Sequence, residues 1–154
     1  MLHSIIIPCY KSSRTIRKVV EMTAEELNNL NISEYEFVLV DDYSPDGGAT
    51  LDELRALARD YSFVKVISLA KNAGQHNAVM AGLNYASGDL LIAMDDDMQT
   101  HPSQLKYLLA EIDKGYDIVY GYYPEKKHSI FRNFGSFVNY ITVRILIGKP
   151  KDMR

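Results

Sequence analysis

Leu90-Leu91-Ile92-Ala93-Met94-Asp95-Asp96-Asp97-Met98-Gln99 decides the fold. Five apolar residues run without alternation into three consecutive aspartates. A continuously apolar run of this length, bounded by polar residues, reads as a parallel strand covered on both faces. In sheets of such strands, ligands gather beyond the carboxyl ends. The acids therefore stand where an open α/β sheet places its site.

The same pattern extends outward in both directions. Strands are expected at Ser4–Pro8, Tyr35–Asp41, Phe63–Leu69, Asp89–Met94 and Tyr116–Tyr122. Helices are expected near Ser13–Leu30, Thr50–Tyr61, Gln75–Ala86, Pro102–Lys114 and Ser129–Ile147. This β-α-β-α order implies a mostly parallel open sheet with helices on both faces. Strand one runs into Pro8-Cys9-Tyr10 and strand two into Asp41-Asp42-Tyr43-Ser44-Pro45-Asp46-Gly47-Gly48. Carboxylates thus recur at one end of the sheet.

Crowded like charges repel and raise one another's pKa unless a cation neutralises them. Oxygen-only ligands favour hard ions, so Mg²⁺ or Mn²⁺ is the expected cofactor. In extended chain Asp95 and Asp97 face one side and Asp96 the other. The competing reading is an aspartate-rich turn leading to the helix at Pro102. Similarly, the Asp41–Gly48 stretch is either a capped turn or a place where a carboxylate meets a nucleobase or ribose. Lys71-Asn72-Ala73-Gly74 opens a helix whose N-terminus favours an anion such as a diphosphate, though an ordinary glycine loop explains it equally. Neither the G-x-G-x-x-G nor the G-x-x-x-x-G-K-[ST] pattern occurs. The four histidines lack zinc or triad spacing.

The 154 residues fit one domain, 47% hydrophobic and 24% charged, which excludes a disordered or fibrous chain. One cysteine, Cys9, excludes an internal disulfide and fits a reducing, cytoplasmic setting. The N-terminal apolar run Ile5–Ile7 is too short for a signal or a span. Net charge is −3, but residues 124–154 hold 7 basic and 2 acidic side chains. Within them Ile130, Phe134, Phe137, Ile141 and Ile145 define one apolar helix face flanked by Lys126, Lys127, Arg132, Arg144 and Lys149. That face serves either a core or a membrane interface.

Four ordered segments resemble glycosyltransferase family 2, and especially its polyprenyl-phosphate branch. SIIIPCYKSS is similar to the opening strand and P-x-Y-N turn, VLVDDYSPDGG to V-D-D-x-S-x-D-G, NAGQHNAVMAGLNYASGD to N-x-G-x-x-x-A-x-x-x-G, and AMDDDMQTHPSQL to A-x-D-x-D-x-Q-x-P-P. The resemblance spans Ser4 to the terminus and implies a GT-A type fold, with residues 1–154 forming one nucleotide-sugar-binding domain. By the same resemblance, Pro8, Tyr10 and Asp42 would line base and ribose. Asp95 and Asp97 would form the D-x-D pair at metal and diphosphate, with Asp96 beside the donor and Gln99 assisting. Lys71 and Gly74 would approach the nucleotide, and Arg132 would contact phosphate.

Two departures stand out. Lys11 occupies the usual asparagine position, and Ser103 replaces the second proline. The acceptor half with its general base lies C-terminal in the family, leaving Asp152 as the one acid available for that role. A fragment that ends before its acceptor half and any membrane segment is therefore expected. The implied reaction is inverting sugar transfer from a nucleoside diphosphate donor to an undecaprenyl- or dolichyl-type phosphate, in cell-envelope polysaccharide biosynthesis. A polysaccharide acceptor, a nucleotidyltransferase and a non-catalytic sugar-nucleotide-binding fragment are the rivals. Expected partners are the donor and a lipid-phosphate or glycan acceptor, with peripheral membrane contact through 126–149. No nucleic acid is expected, and self-association into a homo-oligomer is left open. The expected location is cytoplasmic, at the cytoplasmic membrane face in the full-length protein.

Overall fold

The computed structural model describes residues 1–121, and its chain divides into a unit Met1–Val119 and a second unit Tyr120–Arg154. The first contains β1 (His3–Cys9), α1 (Ile16–Asn29), β2 (Tyr35–Asp41), α2 (Ala49–Asp60), β3 (Val64–Ser68), α3 (Gln75–Tyr85), β4 (Leu90–Ala93) and, after a 3-10 turn at Pro102–Gln104, α4 (Leu105–Ile112). The strands form a parallel sheet in the order β3-β2-β1-β4. The open α/β sheet expected from the sequence is the one that forms.

Strand alternation divides the core into two layers. Ile5, Ile7 and Cys9 of β1, with Phe37 and Leu39 of β2, pack under α1 and α2, contacting Ile16, Val20, Leu27, Leu54 and Leu57. Ile6, Val38 and Val40 face the other way, toward Ala78 of α3. α3 comes close there because Gly82 has no side chain. A Cβ at Gly82 would collide with Ile6 Cγ2 and meet Val40 Cγ2 at 3.2 Å. Interior strands β1 and β2 are buried nearly throughout, as continuous apolar runs require.

Two expectations change. β4 is not covered on both faces, since Leu91, 45% exposed, and Ala93 stand out on one face while Leu90 and Ile92 on the other are half-buried. Residues 116–121 form no strand, and no ladder runs along the outer edge of β4 among the described residues. Ile118 and Val119 line an apolar groove with Leu90, Ile92, Leu105 and Leu109 instead. The predicted helix at Ser129–Ile147 lies outside the described residues. No helix among the described residues is long and apolar enough to cross a membrane.

The amino ends of the strands are tied by a buried carboxylate. Glu36 Oε1 accepts from Ser4 Oγ at 2.7 Å and from the Ser87 amide at 2.6 Å, and Glu36 Oε2 pairs with Lys65 Nζ at 2.6 Å. Burial alone would push this carboxyl up, but the bonds from Lys65, Ser87 and Ser4 outweigh it and hold the group below the ordinary carboxylate range. A depressed folded pKa gives stability that is complete above the unfolded value and disappears as pH falls through the folded one. Acid titration followed by circular dichroism should therefore show wild-type stability falling below about pH 4.5. Glu36→Gln should flatten that dependence and cost about 1–3 kcal/mol at neutral pH.

Candidate functional site

Strand order sets the site's position. From β1 the chain moves through α1 to β2 and β3, then returns through α3 on the opposite face to β4 on the other side of β1. The loops after β1 and β4 therefore diverge, opening a crevice at the carboxyl edge. A cleft of about 500 Å³ occupies it, with Pro8 and Tyr10 at one wall, Asn72, Gly74 and Gln75 at another, and Asp95, Asp96 and Asp97 at a third.

Each loop leaves its strand by a sharp turn. Lys11, Tyr43 and Met98 have φ of 58°, 54° and 62°, each directly after Tyr10, Asp42 or Asp97. Non-glycine residues in this region cost on the order of 1–3 kcal/mol and persist where surrounding bonds fix them. The bonds are present at the first two turns. Asp41 Oδ1 accepts from Ser44 Oγ at 2.6 Å, Ser44 Oγ accepts from the Lys11 amide at 3.1 Å, and the Asp42 amide donates to Cys9 O at 3.0 Å. The loops after β1 and β2 are thereby joined. Asp46 caps the next turn, accepting from the Thr50 amide and from Thr50 Oγ1 at 2.6 Å, and these bonds lower its pKa.

Asp42 is 4% exposed and works as a clamp. Its Oδ1 accepts from the Ala73 amide at 2.7 Å, and its Oδ2 accepts from the Gly74 amide at 2.9 Å and from Asn72 Nδ2 at 3.1 Å. Asn72 Nδ2 also donates to Asp42 O at 2.9 Å. The carboxylate that the resemblance assigned to base and ribose lines the cleft, but both its oxygens are engaged by the loop before α3. Gly74, with φ of 88°, allows that loop to turn into the helix.

The three acids reach the same cleft, including Asp96, which strand alternation had directed elsewhere. β4 ends at Ala93, so alternation no longer governs Asp95, Asp96 and Asp97. A neutral donor holds one oxygen of each: Gln75 Nε2 meets Asp95 Oδ1 at 2.8 Å, the Tyr10 amide meets Asp96 Oδ2 at 3.2 Å, and the Gln99 amide meets Asp97 Oδ1 at 2.9 Å. Among the described residues no Lys, Arg or His is ion-paired with any of them. Partial desolvation, then the charges of Asp97 and Asp96, push the Asp95 carboxyl above its ordinary value. Such a set of negative oxygens suits a hard divalent cation. Yet among the described residues no three acidic, His or Cys side chains already converge as a ready cage. Oxygens from a bound ligand would have to complete the coordination, as diphosphate oxygens and waters commonly do for Mg²⁺.

Of the other expected site residues, Lys71 and Gln99 are exposed and do not line the cleft, although the Gln99 amide holds Asp97. Arg132 and Asp152 lie outside the described residues. Asn72, Gln75 and Cys9 line the cleft without having been singled out. For Asn72 and Gln75 the signal was their place in the loop between a strand end and a helix start. Cys9 is fully buried, and burial followed by the charge of Asp96 raises its thiol pKa far above neutrality, so it contributes no thiolate.

Known proteins share this chain's sequence pattern and fold. The chain is 38% identical over 133 residues to the undecaprenyl-phosphate 4-deoxy-4-formamido-L-arabinose transferase of Proteus mirabilis (strain HI4320), an alignment covering 86% of this chain and 40% of that protein. The chain thus spans less than half the length of that relative. Among solved structures, S. aureus TarS residues 1–349 is similar with a TM-score of 0.57 and 28% identity, over 74% of this chain and 33% of that one. The Mycobacterium tuberculosis glucosyl-3-phosphoglycerate synthase in complex with Mn²⁺, UDP-glucose and phosphoglyceric acid shares the fold, with a TM-score of 0.58 and 20% identity over 94% of this chain and 49% of that one. The fold is of the GT-A type. The sequence pattern of glycosyl transferase family 2 matches residues 4–146, and the chain belongs to that family.

Proposed function

We propose that this chain is the donor-binding part of an inverting, metal-dependent transferase that moves a sugar from a nucleoside diphosphate to a polyprenyl phosphate. The observation carrying this reading is the acid cluster Asp95–Asp97, gathered in a cleft at the sheet's switch point with no ion-paired cation among the described residues. The 38% identity to an undecaprenyl-phosphate sugar transferase supports the acceptor class. A same-fold synthase that holds Mn²⁺ and UDP-glucose supports the donor chemistry in kind.

Asp95 and Asp97 would hold Mg²⁺ or Mn²⁺, and Asp96, tied to the Tyr10 amide, would keep the loop after β1 against the acid cluster. The ion, when bound, supplies positive charge to a diphosphate leaving group. Pro8 and Tyr10 form the wall against which the nucleoside would lie, and Asp42 would fix the loop carrying Gly74 near it. In the reaction an acceptor oxygen bonds to the anomeric carbon as the bond to the diphosphate oxygen breaks, inverting that centre. A phosphate acceptor is already anionic and needs less help from a general base than a hydroxyl. Arg132 and Asp152 carry over from the family resemblance as the phosphate-contacting and basic groups of the acceptor side.

A thermal-shift screen of UDP-, GDP-, CDP- and ADP-sugars with and without Mn²⁺ tests the reading. A ligand that binds only the folded chain stabilises it by about 2.7 kcal/mol at a hundred times its Kd. One nucleotide should raise the melting temperature only when Mn²⁺ is present. The absence of any shift in every combination would refute the proposal.

A further inference from the structure

We propose that Gln75 is a positioning residue, holding the Asp95 carboxylate toward the cleft and coupling it to the loop that Asp42 clamps. The inference rests on the donor-binding reading above and assigns a role within it to a residue outside the D-x-D pair. Gln75 is the first residue of α3, and its Nε2 donates to Asp95 Oδ1 at 2.8 Å, the closest of the three contacts that hold the acids.

The backbone beneath Gln75 is fixed from both sides. On one side, Ala73 and Gly74 donate their amides to the buried Asp42 carboxylate at 2.7 and 2.9 Å. On the other, α3 is seated on the sheet through Ala78 and through Gly82, whose missing side chain admits Ile6 Cγ2. The amide is thus presented from a rigid element, and its partner hangs from a strand end. A carboxylate beside two others is driven by repulsion to swing away from them. A single short hydrogen bond opposes that rotation.

The chemistry of the amide matters as well. A lysine in its place would supply the cluster with a protein cation and compete with a metal for it, whereas a neutral amide orients the carboxylate and leaves its charge in the cleft. Donors that orient metal-binding side chains typically change metal affinity by 10–100-fold when removed. Gln75 is itself exposed, so the bond to Asp95 contributes little to holding the fold together.

Calorimetric titration of the whole chain with UDP, GDP, CDP and ADP, each with and without Mn²⁺, is the test. Gln75→Met keeps side-chain length and helix propensity but removes the donor, and Gln75→Ala removes the side chain. Both should weaken the Mn²⁺-dependent Kd by 10–100-fold. The melting temperature of the ligand-free chain should stay at the wild-type value. Wild-type affinity in Q75M with Mn²⁺ would overturn the inference while leaving the donor-binding reading intact. So would a lowered melting temperature of the ligand-free chain, which marks a merely structural role. A wild-type chain that binds none of the four nucleotides with Mn²⁺ would remove inference and reading together.

Discussion

Asp95→Asn and Asp97→Asn should each abolish metal-dependent nucleotide stabilisation while leaving the fold intact. Both carboxylates line the cleft, and neither has an ion-pair partner among the described residues, so removing one charge leaves no protein cation stranded. For Asp95 the sign of the stability change is also fixed. Its pKa is raised, chiefly by desolvation and then by Asp97 and Asp96, so the folded state favours the protonated form. Such a group opposes folding once it ionises, and metal-free stability declines as pH rises through its folded pKa. Asp95→Asn, which cannot ionise, should therefore melt at the same temperature as wild type or slightly higher near neutral pH without metal. Scanning calorimetry at pH 7 checks this. Under the proposed sugar transfer, turnover should fall on the order of 10²–10³-fold, the usual loss when one stabilising charge or dipole is taken from a developing anion. A variant with an undiminished Mn²⁺ response would mean that these acids serve only as a turn.

Asp42→Ala should have the opposite profile, with a large loss of stability and a secondary loss of binding. Four hydrogen bonds join Asp42 to residues 72–74, three of them through the carboxylate. Truncation leaves the Ala73 and Gly74 amides without their acceptor in a part-buried loop. The expected cost is about 2–4 kcal/mol. At about 2–4 °C per kcal/mol for a chain of this size, the melting temperature should fall by roughly 5–15 °C. Asp42→Asn should rescue little, because its amide group brings two donors where the loop already presents donors. Thermal melts that place Asp42→Ala within about 1 °C of wild type would show that the clamp is dispensable.

These two outcomes separate what the sequence reveals locally from what only the fold reveals. Four strands, four helices and the polar ends of the strands were legible because apolar runs and Gly-, Pro- or Asp-rich turns are local signals. The acids after β4 were legible for the same reason. The partnership of Asp42 with Ala73 and Gly74 was not, since it joins residues 31 and 32 positions apart in the chain. Nor could Gln75 be assigned to Asp95 across 20 positions. Tyr116–Tyr122 reads as a strand because Ile118 and Val119 are β-branched and flanked by tyrosines. Pairing along β4, however, depends on sheet order, and residues 116–121 make no such ladder. The four apolar residues of β4 read as doubly buried for a related reason, because composition alone does not show which of a strand's faces its helices cover.

Anomalous diffraction from crystals of this chain grown with Mn²⁺ and its nucleoside diphosphate bears most directly on the central claim. We predict a manganese peak within coordination distance of carboxylate oxygens of Asp95 or Asp97 and of the diphosphate, in the cleft beside Tyr10 and Gly74. Bound nucleotide with no metal near these carboxylates, or metal and nucleotide seated away from the carboxyl ends of β1 and β4, would contradict it.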